Sequence, residues 1–387
     1  MTRVIAAVTG SRAEFGLLRP VLQKIKNDPE LTLKLYVTGM HIESIFGQTI
    51  DEITGAGFEI EQKVDIFLQD DSRRGVARST ALSMMGFADL FDKNKPDMLL
   101  VLGDRFEIFG AVSAACICGV PIAHIHGGEL TEGVIDEQFR HCITKMSHLH
   151  FASTNQYRDR IIQMGEQPDM VFNTGSPSVD AVFSEELLPK DVLEQELNIS
   201  FADENLLVTF HPAATEDQSP KEQFAELLKA LRKTDAFIIF TYANADSGGK
   251  EINSMIEKFV AENRVSSAAF PSLGHKRYLS VMNLCSGLVG NSSSGLIEAA
   301  VLKKGAVNIG IRQQGRVRGE NVIDCGNSET EISEALTMLF SEGFKNLLKN
   351  VSSPYGEGNS AERIVEKLKK INLKKIQIKR FHDLEKR

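Results

Sequence analysis

The segment AHIHGGELTEGVIDEQFRH, residues 123–141, gathers three histidines and four carboxylates. Such a group could ligate a metal or move protons. A metal needs neutral imidazoles and carboxylates converging on one ion. His124 and His126, read as alternate residues of one strand, point to opposite faces and cannot readily share it. No H-x-x-x-H or H-E-x-x-H pair is present, so no metal is expected. Proton transfer suits the pattern better. Gly127 and Gly128 permit a tight turn that brings Glu129 inward, and Asp136 and Glu137 open the next helix, where the dipole favours anions. Upstream, VLGDRFE (101–107) ends an apolar run on Asp104 and Arg105. Asp104, Glu129 and Asp136 therefore come from three elements and can approach one another. Carboxylates held close push their pKa values apart, leaving one as acid and one as base near neutrality.

A second group of motifs suits an anion. In VGNSSSGLIEAAV (289–301) small residues follow a strand and lead into a helix. Ser292 and Ser293 can meet a phosphate where the helix dipole favours negative charge. Glu298, about one turn inside, can accept hydrogen bonds from ribose hydroxyls. VTGSRAEFG (8–16) places Ser11 and Arg12 at another strand-to-helix turn, although it is neither a G-x-G-x-x-G fingerprint nor a P-loop. In TFHPAATE (209–216), His211 closes a strand before Pro212 and could touch a phosphate or a leaving oxygen. Two polar, Gly-rich loops, NADSGG (244–249) and IGIRQQGRVRGEN (309–321), offer Asn244 to a sugar hydroxyl or amide. They also offer Arg312, Arg316 or Arg318 to a diphosphate.

The elements that must position these groups alternate along the whole chain. RVIAAVTG, LKLYVTG, DMLLVLGD, IAHIHGG, HLHFAST and MVFNTG read as strands, each followed by an amphipathic stretch. Near-continuous apolar runs fit parallel strands covered on both faces. The pattern restarts with NLLVTFHP, AFIIFTYAN, VSSAAFP, GLVGNSSS and AVNIG, after a Gly-, Ser- and Pro-containing junction at 175–192. The expected fold is α/β: two Rossmann-like doubly wound parallel-sheet domains facing across a cleft. The expected domains are 1–177, carrying acid and base, 178–360, binding the nucleotide, and 361–387, a helix and tail packing back on the first domain. The basic tail KKIQIKRFHDLEKR reads as a solvated end.

Composition narrows the partners. A net charge of −8 over 387 residues makes nucleic acid an unsuitable partner. No apolar run approaches the length of a membrane span, and MTRVIAAVTGSRAEFG lacks the plan of a secretory signal. Five scattered cysteines (Cys116, Cys118, Cys142, Cys285, Cys325) without a C-x-x-C pair suit a reducing, cytoplasmic setting.

Taken together, GSRAEFGLLRP, GDRFE, HIHGGELTEGVIDE, FHPAA and GNSSSGLIEA resemble the hydrolysing UDP-N-acetylglucosamine 2-epimerases of sialic acid biosynthesis. The resemblance runs in collinear order from about residue 3 to residue 365. It implies a GT-B fold whose C-terminal helix returns to the first domain, no cofactor, and a homodimer. It also implies a reaction in which UDP leaves C1, C2 is inverted and water yields free N-acetylmannosamine. By the same resemblance, Asp104 and Asp136 match acidic catalytic residues, His211 a histidine facing the substrate, and Glu298 the ribose ligand. Ser292 and Ser293 match diphosphate-binding serines, Arg12 and Arg312 basic residues near phosphate and sugar, and Asn244 a sugar contact. One departure stands out. Many relatives carry Glu where this chain has His126, so either His126 or Glu129 takes that proton-transfer role.

The chemistry explains the need for both groups of motifs. The C2 proton of a sugar is barely acidic until the anomeric bond to UDP breaks and positive charge builds at C1. Elimination then gives a glycal, to which water adds. The diphosphate needs fixed donors as it gains charge, and C2 and the water need a base and an acid. UDP-N-acetylglucosamine is the leading substrate, with UDP-N,N′-diacetylbacillosamine its rival. A glycosyltransferase and a catalytically silent nucleotide-sugar sensor are the alternatives. The first would act only with an acceptor, and the second would bind without turnover.

Overall fold

The computed structural model describes residues 2–43, 49–66, 72–131, 135–212, 218–243 and 248–384. The chain divides into two compact units. One is built mainly from residues up to Ala181 together with those from Gly358 onward, the other from Val182–Glu357.

The first unit holds seven strands: β1 (Arg3–Thr9), β2 (Leu31–Thr38), β3 (Ile60–Val64), β4 (Met98–Leu102), β5 (Ile122–Ile125), β6 (Leu149–Ala152) and β7 (Val171–Asn173). Every pairing is parallel and the order is β3-β2-β1-β4-β5-β6-β7. Parallel neighbours require crossovers, and here helices supply them on both faces, burying β4 and β5 along their whole length. One face packs Leu18, Leu22 and Leu100 against Ile364 and Leu368; the other packs Val8, Val101 and Ile122 against Phe87 and Phe91.

The second unit repeats the plan with β8 (Asn205–Thr209), β9 (Phe237–Thr241), β10 (Ser267–Phe270), β11 (Gly287–Gly290), β12 (Gly305–Ile309) and β13 (Val322–Cys325). Their order is β10-β9-β8-β11-β12-β13, again all parallel. The direction of winding reverses between β1 and β4 and between β8 and β11. Ligands in doubly wound sheets bind beyond the carboxyl ends at those points. Among the described residues, no helix is long and apolar enough to cross a membrane.

Two strands escaped the sequence reading. β3 exposes three of its five residues, and β13 is four residues long and broken by the exposed Asp324; as edge strands, neither carries a continuous apolar run. The tail also departs from expectation. The helix Ser360–Lys370 buries Ala361, Ile364, Val365 and Leu368, and the segment beyond it is not simply solvated. Lys379 Nζ donates to Lys145 O at 2.5 Å, Ser147 O at 2.6 Å and the Glu166 carboxylate at 2.7 Å. An ammonium on the last carbonyls of a helix complements its dipole.

Candidate active site

In the first unit the chemistry collects beyond the carboxyl ends of β1, β4 and β5. After β4, Gly103 turns the chain with φ +79° and Asp104 follows. The helix Ile135–Met146 presents Asp136 and Glu137 in its first turn and Arg140 one turn on. Arg140 is almost fully buried, ion-paired to Asp104, and donates to the His126 carbonyl at 2.9 Å. Asp104 is its ion-pair partner, and the charges of Glu129, Glu137 and Asp136 also act on it. Burial, and then the Asp104 charge, raise the Asp136 carboxyl to about 6, against the opposing pull of Arg105 and Arg140.

Glu129 occupies a separate side of this group. It accepts from Ser153 Oγ at 2.7 Å, and its Oε1 lies 3.8 Å from His126 Nδ1. The other ring nitrogen, Nε2, bonds Ser176 Oγ at 3.0 Å. His126 corrects the sequence reading. β5 ends at Ile125, and His126 has φ +64°, so it is not an alternate strand residue. The argument that it and His124 face opposite sides of a strand therefore does not apply. His124, on the strand, is fully buried between Gly103 O at 2.8 Å and Thr144 Oγ1 at 3.2 Å, and burial lowers its imidazole to about 3. It is a structural histidine. A non-glycine left-handed residue costs about 1–2 kcal/mol. His126 is held there by its own N–H on Phe151 O, by Arg140 on its carbonyl and by Ser176 on its ring.

Beyond β1, Ser11 caps the helix Arg12–Asn27. Arg12 is about half exposed and makes an open pair with Glu52 at 3.6 Å. Two further carboxyls lie beneath this turn. Glu14 accepts from the Gly10 N–H at 2.7 Å, and Glu107 accepts from Arg105 Nε at 2.5 Å. Both are buried, and each has an oxygen with no hydrogen-bond partner among the described residues, Glu14 Oε1 and Glu107 Oε2. Burial above all, with Glu107 and Asp104 adding to it, pushes Glu14 up to about 8. A side chain at position 10 would meet the Glu107 carboxylate at 2.5 Å, which is why glycine stands there.

In the second unit β11 ends at Gly290, whose φ is +136° and where a Cβ would lie 2.0 Å from Thr209 O. Only glycine lets β8 and β11 approach so closely. Ser292 caps a short 3₁₀ turn, Ser293–Gly295, and the helix that follows is only Glu298–Val301. Glu298 therefore opens this helix and is not a turn inside it, because small residues and serines favour a tight turn over an immediate α-helix. His211 is also displaced from its expected place: β8 ends at Thr209, two residues earlier. It is buried, and burial together with the nearby Arg312 charge lowers its imidazole to about 3. Its N–H donates to Asn291 Oδ1 at 2.7 Å. Arg312 Nη1 donates to Asn291 O at 2.9 Å. Ser292, Ser293, Glu298, His211 and Arg312 thus stand on three neighbouring strand ends. Asn244 lies outside the described residues.

Several participants carried no weight in the sequence. Arg140 had a usable signal, one helical turn after Asp136. Glu14, Glu107, Ser153 and Ser176 had none, since only the strand order brings them to the carboxylates.

A family model described as UDP-N-acetylglucosamine 2-epimerase matches residues 23–369. The chain is 38% identical over 384 residues to GDP/UDP-N,N′-diacetylbacillosamine 2-epimerase (hydrolyzing) of Campylobacter jejuni, covering 99% of each. It is 39% identical to polysialic acid biosynthesis protein P7 of Escherichia coli, covering 98% of this chain and 97% of that one. Among solved structures it is similar to the Neisseria meningitidis UDP-GlcNAc 2-epimerase bound to UDP-GlcNAc. That likeness has a TM-score of 0.80 at 19% identity and covers 94% of this chain and 99% of that one; it shows a shared GT-B-like fold. With the family model spanning most of its length and two relatives covered nearly end to end, this chain belongs to the UDP-N-acetylglucosamine 2-epimerase family.

Proposed function

We propose that the protein is a hydrolysing 2-epimerase of a UDP-2-acetamido sugar. UDP leaves C1, the C2 proton is removed to give a glycal, and water adds with C2 inverted, releasing the free sugar. The observation that carries this reading is Asp136, a carboxyl poised near neutrality beside Asp104 and Arg140, where a group can both take and return a proton at working pH. His126 adds a second side chain suited to proton transfer by its type and place. Its imidazole lies between Ser176 and Glu129, and its strained backbone is the kind of cost that functional sites retain. We assign His126 the role that Glu takes in many relatives, with Glu129 orienting it.

The nucleotide falls to the second unit. Ser292 and Ser293 bind the diphosphate, Glu298 the ribose hydroxyls, and Arg312 offsets charge as UDP departs. His211, uncharged at neutral pH because of its burial, can accept a hydrogen bond from water or a sugar hydroxyl. Arg12 and Asn244 are assigned to the phosphate and the sugar from the resemblance of the motifs around them. The chain's own cations and serines serve the leaving group, so neither metal nor nicotinamide is called for, and activity should survive EDTA.

For the sugar we favour UDP-N,N′-diacetylbacillosamine, since a relative bearing that name matches over nearly the full length of both chains. The relative named for polysialic acid biosynthesis keeps UDP-N-acetylglucosamine, giving N-acetylmannosamine, as the second reading. The test is incubation with each UDP-sugar in D2O, following UDP release and the C2 position of the product. UDP release without any acceptor and one deuterium at C2 are expected. A fully retained C2 proton, or turnover only with an added acceptor, would overturn the proposal.

A further inference from the structure

The hydrogen bonds around Asn291 link two of the groups just assigned. Strand β8 stops at Thr209, so the backbone N–H and C=O of His211 leave the sheet ladder while remaining buried, and buried backbone groups require partners. Asn291, only 1% exposed, supplies both. Its Oδ1 accepts the His211 N–H at 2.7 Å, and its Nδ2 donates to the His211 carbonyl at 2.8 Å. The carboxamide imitates a peptide group and adds one rung beyond the β8–β11 pairing. Asn291's own N–H donates to Thr209 O at 3.2 Å. Its carbonyl receives Arg312 Nη1 at 2.9 Å and Gln313 Nε2 at 2.8 Å. One residue thus fixes the backbone under the histidine with its side chain and the guanidinium with its main chain.

We propose that Asn291 is a positioning residue that sets His211 and Arg312 in a common frame beside the serine turn. The inference rests on the substrate-facing role given to His211 above. Only a carboxamide serves the His211 peptide in this way: aspartate keeps the acceptor but turns an anionic oxygen on the His211 carbonyl, and alanine removes both bonds. Because Arg312 and Gln313 bind the main-chain carbonyl, substituting the side chain loosens His211 selectively.

The test is a cycle of Asn291→Asp, Asn291→Ala, His211→Ala and the double variant His211→Ala/Asn291→Asp. Single-turnover rates are read with UDP-sugar, UDP affinity by calorimetry, and folding by circular dichroism. A displacement of about 1 Å at a reacting group costs on the order of a hundredfold in rate. Both Asn291 variants should therefore lose roughly a hundredfold in turnover with UDP affinity within about threefold, and Asn291→Asp should add nothing further once His211 is gone. If Asn291→Ala fails to fold, the near-isosteric Asn291→Asp carries the test. Losses that multiply with those of His211→Ala, or that track weakened UDP binding, would reduce Asn291 to a structural residue and overturn the proposal. Full activity of His211→Ala would instead remove the role given to His211, and the clamp's purpose with it.

Discussion

Asp136→Asn should make the protein more stable at neutral pH while destroying its activity. Asp136 titrates at about 6 in the folded chain against an ordinary 3.8, first because it is buried and next because Asp104 is near. A carboxyl raised on folding binds its proton more tightly in the native state. It therefore costs no stability below pH 3.8, and a growing penalty as pH rises through 6. The full difference corresponds to about 3 kcal/mol at 1.4 kcal/mol per unit, and the side chain's partial access to water reduces the expected penalty to about 1–2 kcal/mol. Asparagine has nearly the same shape and no charge to desolvate. Thermal or urea denaturation of both proteins from pH 4 to pH 8 should show matching stabilities near pH 4. The variant should gain through pH 6 and reach a plateau above pH 7, with a higher Tm by a few degrees. A variant less stable than the parent at pH 8, or a gap independent of pH, would refute the claim that the acidic cluster stores this cost.

Three further outcomes follow from the same geometry. Glu166 is held at about 2: burial would raise it, but His150, Lys145 and Lys379 outweigh that. Its contribution is present above pH 4.5 and lost as pH falls toward 2; Glu166→Gln should therefore lower the urea midpoint at pH 7 by the equivalent of about 2–3 kcal/mol, with the gap narrowing below pH 4.5. His126→Gln should cut turnover by about 10²–10⁴-fold while UDP affinity, measured by calorimetry, stays within threefold of the parent. Gly290→Ala should destabilise the second unit by about 3 kcal/mol or more in urea unfolding, because a Cβ would meet Thr209 O at 2.0 Å in a left-handed conformation.

The architecture was legible because parallel strands covered on both faces leave a one-dimensional mark. Runs such as MLLVL and GLVG are buried throughout, and each is followed by a helix. Of the four edge strands, β3 and β13 left no such mark, because charged residues interrupt their apolar runs (IEQKV and VIDC) where part of their surface meets water. The tail leaves little local mark for a related reason: it docks through Lys379 on the end of the Asp136 helix and Glu166, the His382 N–H on Gly165 O and the Phe381 ring beneath Lys145, and nothing local records such distant contacts.

The local motifs by themselves determined which residue types stand at each strand end: carboxylates and histidines in the first half, serines and arginines in the second. Local chemistry suffices there, since glycine turns, helix starts and apolar runs are written within about ten neighbouring residues. Tertiary structure decided the rest. It showed that Arg140 pairs with Asp104 within reach of the Glu129 and Asp136 charges, that His126 belongs to a strained turn and not a strand, and that Asn291 carries the backbone of His211 from 80 positions away. Each of these is a pairing of charges or hydrogen-bonding groups far apart in the chain. Their energies depend on burial and distance, and those exist only once the sheets have assembled.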